Sequence, residues 1–311
     1  MRTRAVPAKV SVVVPTFANA HVIELLVQEI SRVLLLEGRE FEIILVNDGS
    51  PDATWDVVQR MHLAHPSVRG INLMRNYGQH SALLAGIFNA RFEIIVTLDD
   101  DFQTPPAEIP KLLRKLDEGF DLVYGAREKE QHGFARNIAS SGAKWLMQHA
   151  LNVSHAREVS SFRAFRSSLM RDYLRNLPPA AFLDALLGWT AQHVTSVPVV
   201  HNPRVTGKSN YTWPKLIRHG VDMIMSLSVV PLRAAAWLGF LVALLGAALF
   251  VFVIASYLLH GREVPGFTFL AAVILLFAGA QLSVLGIIGE YLSRVYLRLL
   301  GKPAFVIKEI L

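Results

Sequence analysis

Three adjacent carboxylates, Asp99-Asp100-Asp101, follow the apolar run Glu93 to Leu98, and Gln103 adds another side-chain oxygen two residues later. Like charges this close repel one another and are costly unless a cation compensates them. Extended geometry points Asp99 and Asp101 to the same side, with Gln103 joining them there. Hard oxygen ligands at alternate positions suit Mg²⁺ or Mn²⁺, typically shared with phosphate oxygens. The competing reading is a solvated acidic turn, or a helix N-terminal cap before Pro105-Pro106. Asp48-Gly49-Ser50 is a second polar loop, and its Asp-Gly step is also common turn chemistry. The chain has no G-x-G-x-x-G after its first apolar run and no G-x-x-x-x-G-K-[ST], which removes the dinucleotide fingerprint and the P-loop. A cation site without a P-loop suggests a nucleotide diphosphate held by metal on one side and guanidinium groups on the other. Arg75, Arg127, Arg136, Arg163 and Arg204 are the candidates, and each alone also reads as a surface residue.

Such loops need strands to carry them. Val10 to Val14, Phe41 to Val46 and Glu93 to Leu98 are short β-branched and apolar runs bounded by turn residues. Helical stretches lie between them, Val22 to Leu36 and Ala53 to Ala64. That alternation predicts βαβ units and a mainly parallel sheet, an α/β fold. Ligands bind beyond the carboxyl ends of strands in such sheets. The segments there are Pro15-Thr16-Phe17-Ala18-Asn19, then Asn47 to Asp52, then Asp99 to Gln103, three polar loops converging on one crevice.

The 311 residues carry a net charge of +6, contain no cysteine and are 52% hydrophobic. Disulfide scaffolds, cysteine-ligated zinc and thiol nucleophiles are thereby excluded. Charged residues make up only 18%, against roughly 25% in ordinary soluble domains. The apolar excess sits in the last third, where 234–259 and 264–289 are each 26 residues without an acidic or basic side chain. About 20 apolar residues cross a bilayer core, so two membrane helices are expected, joined by His260-Gly261-Arg262-Glu263. Lys215, Arg218 and Arg233 precede the pair, and Arg294, Arg298 and Lys302 follow it. By the positive-inside bias both flanks lie in the cytoplasm. With no long apolar stretch before Val10, the first 230 residues are expected to form a cytoplasmic domain. The segment 213–232 reads as an amphipathic helix in the headgroup layer, with an ordinary surface helix as the alternative.

These residues together resemble the polyprenyl-phosphate glycosyltransferases of glycosyltransferase family 2, whose catalytic domain has the GT-A fold. The resemblance rests on VVPTFAN (13–19), LVNDGSPDAT (45–54), RNYGQ (75–79), LDDDFQTPP (98–106), VYGAR (123–127), SSFRAF (160–165) and GKSNYTWPKL (207–216), followed by the two apolar spans. Within the family the chain is most similar to undecaprenyl-phosphate glucosyltransferases and to the undecaprenyl-phosphate aminoarabinose transferase of lipid A modification. It implies a GT-A domain over 1–212, the interface helix over 213–232, two membrane helices within 233–290 and a cytoplasmic tail over 291–311. Asn19 and Asn47 depart from the family pattern, standing where many relatives have Glu and Asp, and leave the preference between uridine and guanosine donors open.

The resemblance implies roles for individual residues. Pro15, Phe17, Asn19 and Asp48 would hold the base and ribose of the donor, with Asp99 facing the nucleotide sugar. Asp101 and Gln103 would ligate Mg²⁺ or Mn²⁺ on its diphosphate. Arg127 and Arg204 would bind phosphate groups, Lys208 would close over the donor, and Arg136, Ser140 and Arg163 would meet the acceptor phosphate. Asp99, Asp101, Arg127 and Arg163 are the catalytic set. The implied partners are a nucleotide-sugar donor, a polyprenyl-phosphate acceptor and the bilayer of a bacterial inner membrane, with no nucleic acid. Similar proteins form homo-oligomers, and Ala304 to Ile307 reads as a terminal strand that must pair with its own sheet or with a neighbouring subunit; pairing in an oligomer is expected, a tetramer among the options. A dolichol-phosphate-mannose-synthase-like enzyme using GDP-mannose and a non-catalytic membrane-anchored module are the alternatives. A processive synthase is disfavoured because the chain lacks Q-x-x-R-W, and a transporter because the spans carry no charge.

Overall fold

In a computed structural model, residues 8–127, 160–174, 183–202, 230–260, 266–301 and 303–311 are described. The chain divides into two compact units, Met1–Thr212 with Pro303–Leu311, and Trp213–Lys302.

The first unit is an α/β domain on a mixed, mostly parallel sheet. Its elements are β1 (Val10–Thr16), α1 (Ile23–Leu36), β2 (Phe41–Asn47), α2 (Thr54–Ala64), β3 (Val68–Leu73), α3 (Gln79–Phe88), β4 (Ile94–Thr97), α4 (Ile109–Asp117), β5 (Leu122–Arg127), β6 (Arg163–Arg166), α5 (Leu183–Thr190) and β7 (Val194–Val199). With a terminal strand, β8 (Ile307–Ile310), the sheet order is β7-β5-β6-β4-β1-β2-β3-β8. The pairs β1/β2, β1/β4, β2/β3 and β5/β7 are parallel. The pairs β4/β6, β5/β6 and β3/β8 are antiparallel.

The central strands are apolar on both faces because both faces are covered. Successive residues alternate between two cores. Val12, Val14, Ile43 and Leu45 pack with α1, α2 and α4, whereas Val13, Ile44 and Val46 pack with α3 and α5. Burial therefore fixes the register of β1 and β2, and the register fixes where their following loops emerge.

Two expectations are corrected here. The terminal strand begins at Ile307 instead of Ala304, and it pairs with β3 of its own chain, Ile71 opposite Ile310. The Met74 N–H donates to the Val306 carbonyl at 2.9 Å and the Leu311 N–H to the Gly70 carbonyl at 2.8 Å. β3 would otherwise be an open edge, and the returning strand satisfies it, so this strand supplies no ground for a tetramer.

The second unit contains α6 (Val230–His260) and α7 (Gly266–Leu299). Among the described residues, Val230–Leu259 is long and apolar enough to cross a membrane, and none of its apolar window is buried. A core helix of a soluble protein would be covered; this one presents Trp237, Leu241, Phe250 and Phe252 outward. Gly246 lets the helices approach, since a Cβ there would lie 2.5 Å from the ring of Phe277 in α7. α7 runs through the second apolar stretch and on to Leu299, with Arg294 paired to Glu290 at 2.7 Å, so the expected tail is helical at its start. The interface helix expected over 213–232 lies outside the described residues up to 229.

Candidate active site

The carboxyl ends of β1, β2 and β4 open on a cleft of about 770 Å³. Its lining includes Pro15, Phe17, Asn19, Asp48, Asp99, Asp100 and Asp101, together with His21, Asn76, Gln79 and Phe102. Six of the residues given roles from sequence thus line one cavity, with Asp100 and Gln79, which received none, beside them.

The β1 and β2 loops are tied to each other. Ala18 N–H donates to Ser50 Oγ at 3.0 Å and Asn19 N–H to Thr54 Oγ1 at 3.2 Å. These bonds leave Phe17 at the cleft with 47% of its surface exposed. A half-open aromatic ring is a stacking surface for a planar group. Asp48 follows β2 and accepts the N–H groups of Tyr77 at 2.7 Å and Gly78 at 2.8 Å, one on each carboxylate oxygen. Burial pushes Asp48 above the usual carboxylate range, and those two bonds oppose the rise. Gly49 beside it has φ +65°, and a Cβ there would lie 2.4 Å from the Arg75 carbonyl carbon. Only glycine makes this turn against the neighbouring backbone.

The acidic run does not continue the strand. β4 ends at Thr97, residues 100 and 101 form a turn, and Phe102 takes φ +53°. The expected same-side arrangement of extended residues is replaced by three carboxylates with separate partners. Asp99 Oδ1 accepts from Gln79 Nε2 at 2.7 Å and Oδ2 from Ser161 Oγ at 2.6 Å. Asp100 Oδ1 accepts from Asn19 Nδ2 at 3.0 Å, while its Oδ2 is buried without a hydrogen-bond partner among the described residues. Asp101 Oδ1 accepts the Gln103 N–H at 3.1 Å, closing the turn. Burial, reinforced by the neighbouring carboxylates, pushes Asp100 up to about 7 against the Asn19 bond. Asp99 is raised chiefly by burial and also by Asp101, with Ser161, Arg163 and Gln79 opposing. Phe102 and Ala18, also at φ +53°, are the two non-glycine residues with positive φ among those described, and both flank the cleft. Such backbone costs on the order of 1–3 kcal/mol and persists where the surroundings enforce it.

The donor set fits a hard divalent cation. Asp101 lines the cleft, Gln103 follows it in the same turn, and the raised carboxylates Asp99 and Asp100 would gain from added positive charge. Among the described residues no group of three or more His, Cys, Asp or Glu is arranged to hold a metal. An ion held here would therefore draw part of its coordination from substrate phosphates, as Mg²⁺ commonly does. Gln103 stands just outside the cleft lining, and its Oε1 lies 2.9 Å from His201 Nε2. His201 is another partner that no local sequence signal marks.

Arg163 is corrected. Its side chain is 2% exposed and forms an ion pair with Asp184 of α5, which leaves the guanidinium inside the domain instead of facing an acceptor phosphate. Arg127 closes β5, and only its backbone is described. Arg136, Ser140, Arg204 and Lys208 lie outside the described residues.

Residues 11–174 match the family model described as Glycosyl transferase family 2. The undecaprenyl-phosphate 4-deoxy-4-formamido-L-arabinose transferases of Salmonella paratyphi B and Salmonella enteritidis are each 33% identical to this chain, over 97% of it and 94% of their own length. Among solved structures, glucosyl-3-phosphoglycerate synthase from Mycobacterium tuberculosis in complex with Mn²⁺, UDP and glucosyl-3-phosphoglycerate shares the fold. It superposes with a TM-score of 0.50 at 20% identity, over 70% of this chain and 78% of that one. With its strand-end cleft, its acidic turn and a family match that spans more than half its length, the chain belongs to glycosyltransferase family 2 and is a glycosyltransferase built on a GT-A domain.

Proposed function

We propose that this glycosyltransferase moves a sugar from a UDP-sugar to undecaprenyl phosphate at the cytoplasmic face of a bacterial inner membrane, in the modification of lipid A or another envelope glycan. The observation that carries the reading is the cleft itself. It sets Phe17, Asp48, Asp99 and Asp101 side by side in a chain similar over 97% of its length to undecaprenyl-phosphate sugar transferases.

Phe17 and Pro15 receive the base, and Asp48 and Asn19 border the base and ribose. Asp99, fixed at both oxygens, faces the sugar nucleotide. Asp101 and Gln103 hold Mg²⁺ or Mn²⁺, which when bound neutralises charge on the nucleoside diphosphate leaving group. Arg127 and Arg204 add positive charge to the diphosphate, Lys208 closes over it, and Arg136 with Ser140 meets the acceptor phosphate. A lipid phosphate oxygen is already anionic near pH 7 and needs no strong general base. It attacks the anomeric carbon, the bond from that carbon to the nucleotide's β-phosphate oxygen breaks, and configuration inverts. Several guanidinium groups in one site offset the repulsion between the two anions.

The acceptor explains the second unit. A polyprenyl chain leaves the bilayer at about 0.8 kcal/mol per CH₂ exposed, so the catalytic cleft works at headgroup level. We assign α6 and α7 as a two-span hairpin, with Lys215, Arg218 and Arg233 on the cytoplasmic side.

The test is nucleotide release by the purified protein in nanodiscs containing undecaprenyl phosphate and Mg²⁺ or Mn²⁺, across a panel of UDP- and GDP-sugars. Lipid-dependent release with one UDP-sugar, lost in Asp101→Ala, supports the reading; release with GDP-mannose alone, or with no donor, overturns it.

A further inference from the structure

β4 and β6 run antiparallel with Thr97 opposite Arg163. Two residues past each partner, the same register brings Asp99 to Ser161, whose hydroxyl donates to Asp99 Oδ2 at 2.6 Å. Ser161 is itself held. Its carbonyl accepts from Thr97 Oγ1 at 2.6 Å and from Arg163 Nε at 3.4 Å. Arg163 Nη1 pairs with Asp184 on α5, the guanidinium lies 5.9 Å over the Tyr124 ring, and Tyr124 Oη donates to Asp184 Oδ1 at 3.3 Å. One rigid fork thus joins a helix behind the sheet to the backbone of the residue that grips a cleft carboxylate.

Filling this space with apolar side chains would be a less costly way to build a core, because a buried ion pair recovers its desolvation penalty only with good geometry. The arrangement calls for a role beyond packing. Arg163 does not line the cleft and makes no direct hydrogen bond to Asp99, although its charge opposes the rise at that carboxylate. What it does reach is the Ser161 carbonyl, and the Ser161 hydroxyl is one of two side-chain donors on Asp99.

We propose that Arg163 and Asp184 are positioning residues for donor binding, holding the turn at 160–162 so that Ser161 aims the Asp99 carboxylate at the nucleotide-sugar. The proposal rests on the reading of the cleft as a nucleotide-sugar site.

A double-mutant cycle tests it in nanodiscs, with Ser161→Ala, Asp184→Asn and the double variant. The readouts are KM for the UDP-sugar, KM for undecaprenyl phosphate, kcat and Tm. Ser161→Ala is expected to raise donor KM about tenfold, the order set by losing one hydrogen bond to a charged group. Asp184→Asn raises it in the same direction, and the double variant is no worse than the more affected single one, because the two act through one contact. Acceptor KM stays within twofold, and Ser161→Thr, which keeps the hydroxyl, restores donor KM. Tyr124→Phe loosens the pair without removing a charge and moves donor KM the same way, which covers an Asp184 variant that fails to fold. Additive effects, or a change in Tm with donor KM untouched, overturn the positioning role while wild-type turnover leaves the functional reading standing. A wild-type protein that neither binds nor turns over any nucleotide-sugar overturns both.

Discussion

The side-chain amide of Asn19 donates to Oδ1 of Asp100 at 3.0 Å, bridging the loop after β1 to the turn after β4. The bond spans 81 residues of sequence, and the other Asp100 oxygen is buried without a hydrogen-bond partner among the described residues. With the Phe17 backbone N–H, the Asn19 amide opposes the burial that pushes this carboxyl up to about 7.

That carboxyl makes stability depend on pH. Its folded value lies above the ordinary value near 3.9, so the folded state binds the proton more tightly than the unfolded one. The contribution is full below about pH 4 and is lost as pH rises toward 7. In metal-free buffer, the Tm of the wild-type protein is expected to decline across that window by several degrees more than that of Asp100→Asn, which keeps the Asn19 acceptor. Differential scanning fluorimetry reads this, and identical slopes would contradict it.

His201 and Gln103 yield a prediction about metal. The Gln103 carbonyl oxygen has two lone pairs, so His201 can donate to one while the other meets a cation. Such outer partners orient a ligand, and losing one typically weakens metal affinity by about 10–100-fold. His201→Ala is expected to raise the Mn²⁺ concentration for half-maximal activity at least tenfold, with kcat at saturating Mn²⁺ within threefold of wild type. An unchanged metal titration would remove Gln103 or His201 from the account.

Much of this was legible in the residues, and the exceptions have physical causes. β1, β2 and β4 are covered on both faces and read as mainly β-branched and apolar runs, with Ser11 and Glu42 as inner polar residues that bond to each other at 2.6 Å. β3 hides because Arg69, Gly70 and Asn72 interrupt its apolar pattern; Gly70 sits under Val58 and Trp55, where a larger residue would collide. The insertion of β6 antiparallel between β4 and β5 is a long-range choice that no local period encodes. Arg163 looked like an anion ligand because its ion-pair partner, Asp184, lies 21 positions away on another element. The turn at Asp100 rests on a phenylalanine in left-handed backbone, which residue type does not announce.

Gly49 is expected to be intolerant of a side chain. Gly49→Ala places a methyl group 2.4 Å from the Arg75 backbone at φ +65°, so the loop carrying Asp48 must shift. Donor affinity, read by calorimetry with UDP and Mn²⁺, should fall at least tenfold, and Tm should drop by several degrees. Wild-type affinity in the variant would show that the β2 loop has more freedom than this packing allows.

Removal of residues 304–311 uncovers the β3 edge that β8 closes. The shortened protein is expected to aggregate in detergent and to unfold at lower temperature. Leu311→Pro, which deletes the donor to the Gly70 carbonyl and leaves the length intact, should act in the same direction but more mildly. Size-exclusion profiles and Tm values matching the full-length protein would contradict the cis pairing.

Transfer onto a lipid phosphate is read directly from the lipid product. Protein in nanodiscs is incubated with the UDP-sugar selected by the release panel, labelled in the sugar, and the organic phase is extracted and analysed by mass spectrometry. Labelled undecaprenyl phosphate-sugar is expected, requiring both undecaprenyl phosphate and a divalent cation and absent with Asp101→Ala. Label that stays in the aqueous phase, or that enters the lipid equally well with Asp101→Ala, would contradict that transfer.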